Sequence, residues 1–436
     1  MKSNNRFTLV LTVQFLERFS FFSLAFSLVL FASEPMTRGG LGWSEYNAIC
    51  ISGLFSLFAC LTPFLGGLLS DNFFGYHKCS LLGLSLSTLG YFIVFFNFNL
   101  FWLSFILLIF GSGFYQACSL SLVTSIFKDC VSRRSQAYSY FNLFVNLGSF
   151  LASIFSGIII TSFGYKYLFM SCFIAMFFAA TLSYFATQDF NLKPTHKDSF
   201  NEKNEFVNSK VFLFYSLAFV YFLCCVSYGI VTSGTLTLYI KNYCDRFVGG
   251  FEIPSTWFLM LDSLGYFIWV PIIAYILKYY KKNSDRKNSN PFSIGNRYCL
   301  GLFFLGLGFV FLMISSYRVA NFYETLISPF YIIMFFLVSN IGWVIINPTI
   351  QTAASELIPK SKLTTYMGIY NTFMGFGFYL GSWLGLASLD VGKFVIFTFL
   401  TFALILSSVV IFLLKKSIDK IVFCSSQVMI EQAEKS

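Results

Sequence analysis

Twelve apolar runs, each long enough to cross a hydrocarbon slab of ~30 Å and separated by short polar turns, constrain this chain more than any other feature. Six lie near 7 to 32, 45 to 70, 79 to 96, 100 to 127, 136 to 162 and 165 to 186. Six more lie near 210 to 240, 256 to 279, 296 to 316, 326 to 350, 364 to 388 and 393 to 414. Backbone in lipid must satisfy its own hydrogen bonds, so the runs are predicted to be helices and the fold class all-α integral membrane. The longest internal polar segment, Asp189 to Lys210, divides them six and six. The expected organisation is an N-terminal six-helix bundle over 1–188, a cytoplasmic linker over 189–209, a C-terminal six-helix bundle over 210–416 and a cytoplasmic tail over 417–436. Two such blocks facing a central cavity suit a transporter. The first run has no small-residue cleavage site and reads as a retained span.

Only 11% of the residues are charged and 57% are hydrophobic, against roughly a quarter charged in soluble domains. The net charge of +10 would suit a nucleic-acid binder until it is mapped. With the N-terminus inside, roughly 22 Lys and Arg fall on cytoplasmic segments and about 6 on the other side, as the positive-inside rule requires. The charge is therefore a topology determinant beside anionic lipid, both termini are expected in the cytoplasm of a cell membrane, and no nucleic-acid partner is implied.

Chemistry is scarce. The eleven Cys form neither a CxxC nor a Cys/His cluster, so no metal site, cofactor or disulfide framework is expected. His77 and His196 fall in predicted loops, and no HExxH, GxSxG or ATP-binding GxxxxGK[ST] occurs, which argues against an enzyme or a self-contained ATP-driven pump. With 60 Phe and 25 Tyr, any single aromatic reads by default as lipid contact or core.

The exception is Gln14 to Phe22, which places Glu17 and Arg18 inside the first span. Arg18 lies roughly 16 Å along a helix from Phe7 at ~1.5 Å per residue, near mid-membrane. A charge there costs at least ~2.5 to 3.5 kcal/mol unless it meets a partner or a water-filled cavity, which marks a functional site; the alternative is a pair that only fixes helix packing. Gln14, Glu17, Arg18, Phe21 and Ala25 recur at spacings of three and four and share one helix face.

The second span ends in Gly66 to Lys78 (GGLLSDNFFGYHK), which resembles the cytoplasmic loop signature G-x-x-x-D-x-x-G-x-basic of the major facilitator superfamily. Here Gly67 is expected to allow close helix approach, Gly75 a tight turn, Asp71 a cap or a pair with Arg133 or Arg134, and Lys78 supplies the basic position. Within that superfamily the chain resembles the proton-dependent oligopeptide transporter family. Leu16 to Phe22 is similar to the family's E-x-x-E-R-F-x-Y-Y-G. Tyr138 to Phe150 (YSYFNLFVNLGSF) is similar to its fifth-span signature, with Asn146 retained, and Gly342 to Pro359 with Met367-Gly368 follows its tenth and eleventh spans. The resemblance implies the major facilitator fold and proton-coupled uptake of short peptides.

The departures are informative. Gln14, Phe21, Phe22 and Ala25 stand where the family has a Glu, two Tyr and an Arg. In Gly111 to Cys118 (GSGFYQAC) Gln116 replaces the family's Lys, and Trp343, five residues before Pro348, replaces its tenth-span Glu. Losing the acids and the base together avoids stranding a buried charge, worth ~3 to 5 kcal/mol. Asp262 stands at the family's eighth-span Asn, beside Ser263, with Tyr266 one turn on. It is either a substituted acid for a substrate amine or proton, or a hydrated carboxylate roughly 9 Å along the helix from Thr256.

The expected substrate and proton pathway is therefore Gln14, Glu17, Arg18, Gln116, Asn146, Asp262 and Trp343. Expected partners are a small-molecule or peptide substrate, protons as the coupling ion implied by the resemblance, and the bilayer. The competing readings are a uniporter or antiporter for another metabolite (nucleoside, sugar or drug) and a non-transporting, receptor-like relative.

Overall fold

The computed structural model describes residues 3–126, 131–187, 208–283, 293–321, 326–357 and 363–433, and almost all of them are helical. The first six helices are α1 (Ser3–Ser33), α2 (Glu45–Leu69), α3 (Gly75–Phe96), α4 (Phe101–Ile126), α5 (Val131–Phe163) and α6 (Tyr165–Thr187). Then come α7 (Asn208–Thr232), the short α8 (Thr235–Tyr243) and a two-residue hairpin of β1 (Phe247–Val248) and β2 (Phe251–Glu252). The rest are α9 (Met260–Asn283), α10 (Ile294–Asn321), α11 (Phe330–Leu357), α12 (Leu363–Asp390) and α13 (Lys393–Ala433). Local signals set some boundaries: the Ser44 side chain accepts from the Asn47 N–H at 3.3 Å, capping α2, with Glu45 in its first turn.

Each of the twelve predicted runs holds a long helix, with one correction. The seventh, expected to be unbroken over 210 to 240, is α7 followed by α8, parted at Gly234. That residue has φ +77°, and a Cβ there would lie 2.3 Å from a Val29 methyl. Both the left-handed backbone and the contact require glycine. Ile230 and Val231 precede the hydroxyl residues around it, and Leu236 and Leu238 follow, so hydropathy averaged over a span does not register the break. The linker expected at 189–209 lies, up to residue 207, outside the described residues.

Two compact units result. The first contains α1 to α6 together with Ile230–Asn242 and Arg246–Ser263; the second contains the chain from Leu264 onward with most of α7 and Tyr243–Asp245. In the first, α1 packs against α5 and α6, and α3 against α4 and α6. Its interior holds Leu28, Val29, Phe31 and Ala32 of α1, all fully buried, and at the other end of α1 Val10 and Leu11 meet Leu122, Val123 and Phe141. Gly148 of α5 lets α1 approach: a Cβ there would fall 2.9 Å from the Arg18 Cβ and 3.0 Å from the Phe15 carbonyl. In the second unit α10 packs against both α11 and α13.

Large apolar side chains also face outward, among them Trp102, Phe177, Phe402 and Leu413. Such a surface is costly in water and natural in lipid. Ten runs among the described residues are long and apolar enough to cross a membrane, one of which, Glu45–Phe96, contains both α2 and α3. The protein is a multi-pass membrane protein.

Candidate transport site

α1 carries the charged pair into the interior of the first unit. Glu17 and Arg18 are both buried, and the side chains of these adjacent residues fold together: Arg18 Nε donates to Glu17 Oε2 at 2.5 Å and Nη2 to Oε1 at 2.7 Å. Neighbouring helical residues diverge by about 100°, so only long side chains can close such a fork. The bidentate geometry is the strong form of this interaction, and it occupies both carboxylate oxygens. The guanidinium lies 4.6 Å from the centroid of the Phe21 ring and 6.0 Å from that of Phe22, so the rings standing where tyrosines were expected cover the cation by their π faces.

Gln14 is buried on the same helix and accepts a hydrogen bond from the Tyr115 hydroxyl of α4 at 3.0 Å. The leading motif position thus makes a neutral link between α1 and α4. Tyr91 of α3 donates to the Ser20 carbonyl at 2.6 Å, and together with Ser87, Ser112 and Phe21 it bounds a void of about 10 Å³ beside Glu17, room for about one water molecule. Sequence reasoning missed Tyr115 and Tyr91 because single aromatics were set aside as packing. The signal lay in GSGFYQAC, where Tyr115 directly precedes the position that lost its lysine. Tyr115→Phe is expected to lower the thermal stability of the purified protein by about 0.6 kcal/mol, the usual worth of an interhelical hydrogen bond in a membrane.

The other expected residues are more dispersed. Gln116 is exposed on α4, turned from the face that holds Tyr115. Asn146 is half-buried, and its amide donates to the Asn142 carbonyl of its own helix at 2.9 Å rather than across to a neighbour. Asp262 is half-buried in the first turn of α9, where the helix dipole favours a carboxylate, and the adjacent Ser263 hydroxyl donates to Ser149 Oγ of α5 at 2.9 Å.

In the second unit Trp343 of α11 is buried in a column of rings. Its ring lies 4.7 Å from that of Tyr228 at an interplanar angle of 11°, and 5.8 Å from that of Tyr221 at 27°. The Tyr221 hydroxyl donates to Asn347 Oδ1 at 3.3 Å. The acid expected from the resemblance is replaced by an aromatic face with an amide and a phenol at its edge.

The loop signature needs a correction. A Cβ on Gly67 would meet nothing within 4 Å, whereas one on Gly66 would lie 2.8 Å from the Phe114 Cα. Close approach of α2 and α4 therefore belongs to Gly66; the two are consecutive and face directions about 100° apart. Gly75 does close the turn, with φ +73° at the end of a π-helical segment Ser70–Phe74, and Lys78 is exposed. The side chains of Asp71, Arg133 and Arg134, and hence their pairing, lie outside the described residues. Among the described residues no three His, Cys, Asp or Glu side chains could jointly hold a metal ion.

Comparison with known proteins agrees with this architecture. The chain is 22% identical over 423 residues to the peptide transporter YePEPT of Yersinia enterocolitica, covering 81% of this chain and 82% of that protein. It is 19% identical to the dipeptide and tripeptide permease B of Aliivibrio fischeri, covering 87% and 85%. A crystal structure of the peptide transporter POT in complex with alafosfalin superposes with a TM-score of 0.83 at 18% identity, over 95% of each chain, so the two-bundle fold is shared. The family profile described as Major Facilitator Superfamily matches residues 10–382, and the chain belongs to that superfamily.

Proposed function

We propose that this protein is a secondary transporter of short peptides or amino-acid-like solutes, working by alternating access in the cell membrane with both termini in the cytoplasm. The observation that carries the reading is the closed, buried Glu17–Arg18 fork, held at the position where the resemblance places the family's charged motif. Relatives named as peptide transporters over more than four-fifths of this chain support it.

Recognition differs in kind from a two-charge clamp. Arg18 is paired with Glu17, and in the second unit the ring faces of Trp343, Tyr228 and Tyr221 with the Asn347 amide supply neutral substrate contacts; in the first unit Gln116 and Asn146 supply polar contacts of their own. Asp262 takes the substrate amine. Proton coupling runs through Glu17, whose two oxygens both accept from Arg18 in this arrangement.

The test is uptake into proteoliposomes of a di- and tripeptide panel at two pH values, with and without a protonophore, for the wild type and Asp262→Asn. Peptide uptake that Asp262→Asn reduces is expected. Failure of every peptide, with a nucleoside or sugar crossing instead, would overturn the substrate class; unchanged uptake in Asp262→Asn would remove that residue from the site. Uptake indifferent to the protonophore would remove proton coupling alone.

A further inference from the structure

The hairpin between α8 and α9 is polar at its base and apolar at its tip. It lies at the end of α1 opposite the N-terminus, where Lys241 of α8 donates to Glu34 at 2.7 Å. At the base Arg246 Nη2 donates to Glu252 and Nη1 to the Ile253 carbonyl at 2.8 Å, and the Ile253 N–H returns a bond to the Arg246 carbonyl at 2.8 Å. Beyond it Phe247 pairs with Glu252 and Val248 with Phe251, and Gly249 and Gly250 close the turn with φ +59° and +86°. Positive φ at both central residues is the turn that matches strand twist, so the hairpin is well formed. Its tip nevertheless has no core to join: Phe247 and Val248 are each 62% exposed and Phe251 54%. Side chains alternate across a strand, which puts Val248 and Phe251 on one face and Phe247 on the other. Both faces of the tip are therefore apolar and uncovered, an arrangement that water disfavours.

Three observations put this tip beside lipid. Ser255 opens a run, Ser255–Ile276, long and apolar enough to cross a membrane, and only Ile253 and Pro254 separate it from Glu252. Three residue steps reach at most ~11 Å, and the interfacial layer on each side of the hydrocarbon is roughly 5 to 8 Å deep, so the hairpin is tethered at the membrane edge. Next, the Phe251 ring lies 5.9 Å from that of Trp257, so the tip leans back toward the span instead of away from it. Trp257 in turn rests on α5: its Nε1 donates to the Ile154 carbonyl at 3.0 Å, and a Cβ on Gly157 would fall 2.7 Å from its ring. The immediate neighbours of those two positions, Phe155 and Ile158, are exposed and form lipid-facing surface of the span.

We propose that the hairpin is an interfacial anchor whose partner is the bilayer. Phe247, Val248 and Phe251 insert into the leaflet on the side opposite the N-terminus, while the Arg246–Glu252 pair stays at headgroup level. Aromatic side chains and a charged base are the composition that suits the boundary between headgroups and acyl chains. The anchor is independent of the transported solute.

The experiment is tryptophan fluorescence of the full-length protein in liposomes, with Val248→Trp and Phe247→Trp each read against the 6 native tryptophans of the wild type. Both positions are exposed, so neither substitution repacks a core. Lipids brominated on their acyl chains quench on contact from within the bilayer, and iodide, supplied on both sides, quenches from water. The emission that each variant adds is expected to lose most of its intensity in brominated lipid and to be little changed by iodide. Quenching of either added tryptophan by iodide as strongly as by brominated lipid would put the tip in water and overturn the proposal. Protection of both from both quenchers would mean that protein, such as a second copy of this chain, covers the tip, and would overturn it equally. Lipid quenching at only one of the two positions would describe a hairpin lying flat, and insertion of the tip would be wrong.

Discussion

Glu17→Gln is expected to destabilise the protein by about 3 to 5 kcal/mol, because it leaves the Arg18 guanidinium buried without its counter-charge. The substitution keeps the size of the side chain, so the loss reports charge rather than packing. Arg18→Met should cost a similar amount by the reverse route, stranding the carboxylate. The double variant should be less destabilised than either single one, since replacing both members of a buried pair by uncharged groups is often nearly neutral. Thermal or denaturant unfolding of the four proteins in one detergent measures the cycle. Additive losses would mean that the fork, although closed at 2.5 and 2.7 Å, contributes little as a pair. Transport separates the roles further: a double variant that folds but moves no solute would show that the pair is kept for function, not stability.

Trp343→Ala should cost about 3 to 5 kcal/mol by opening a cavity between the Tyr228 and Tyr221 rings. Trp343→Phe, which retains a stacking face, should recover most of it. If the ring column also holds substrate, the apparent affinity for peptides with aromatic or large apolar side chains should fall more in Trp343→Ala than that for dialanine, read by competition in the uptake assay. Equal effects on all peptides would confine Trp343 to packing.

How legible these features were differs by kind. The spans were plain, because a lipid-crossing helix must be a long apolar run and the chain has few polar residues to blur the edges. The α7–α8 break was not: TLTLYI after Gly234 is as apolar as the stretch before it, and the φ of one glycine leaves no trace in hydropathy. Glu17 and Arg18 were legible as costly charges, but whether they served each other or a third group depends on rotamers, which spacing does not encode. The Gly66 and Gly67 exchange has the same origin, since consecutive glycines are indistinguishable until the helix has an orientation. Tyr115 was hidden among 85 phenylalanines and tyrosines, where type alone distinguishes nothing and only its hydrogen bond to Gln14 does.

The helix break at Gly234 bears on where this chain could be divided. Segments from beyond the midpoint of the sequence, Ile230–Asn242 and Arg246–Ser263, belong to the first unit, and Gly234 sits directly on the Val29 side chain. A gene cut in the polar stretch between the sixth and seventh spans would yield a front fragment missing a piece of its own core, with Val29, fully buried in the intact chain, left uncovered. The polar stretch that divides the sequence is therefore not the point at which the packing changes hands, and the front half reaches its final form only after translation has passed residue 263.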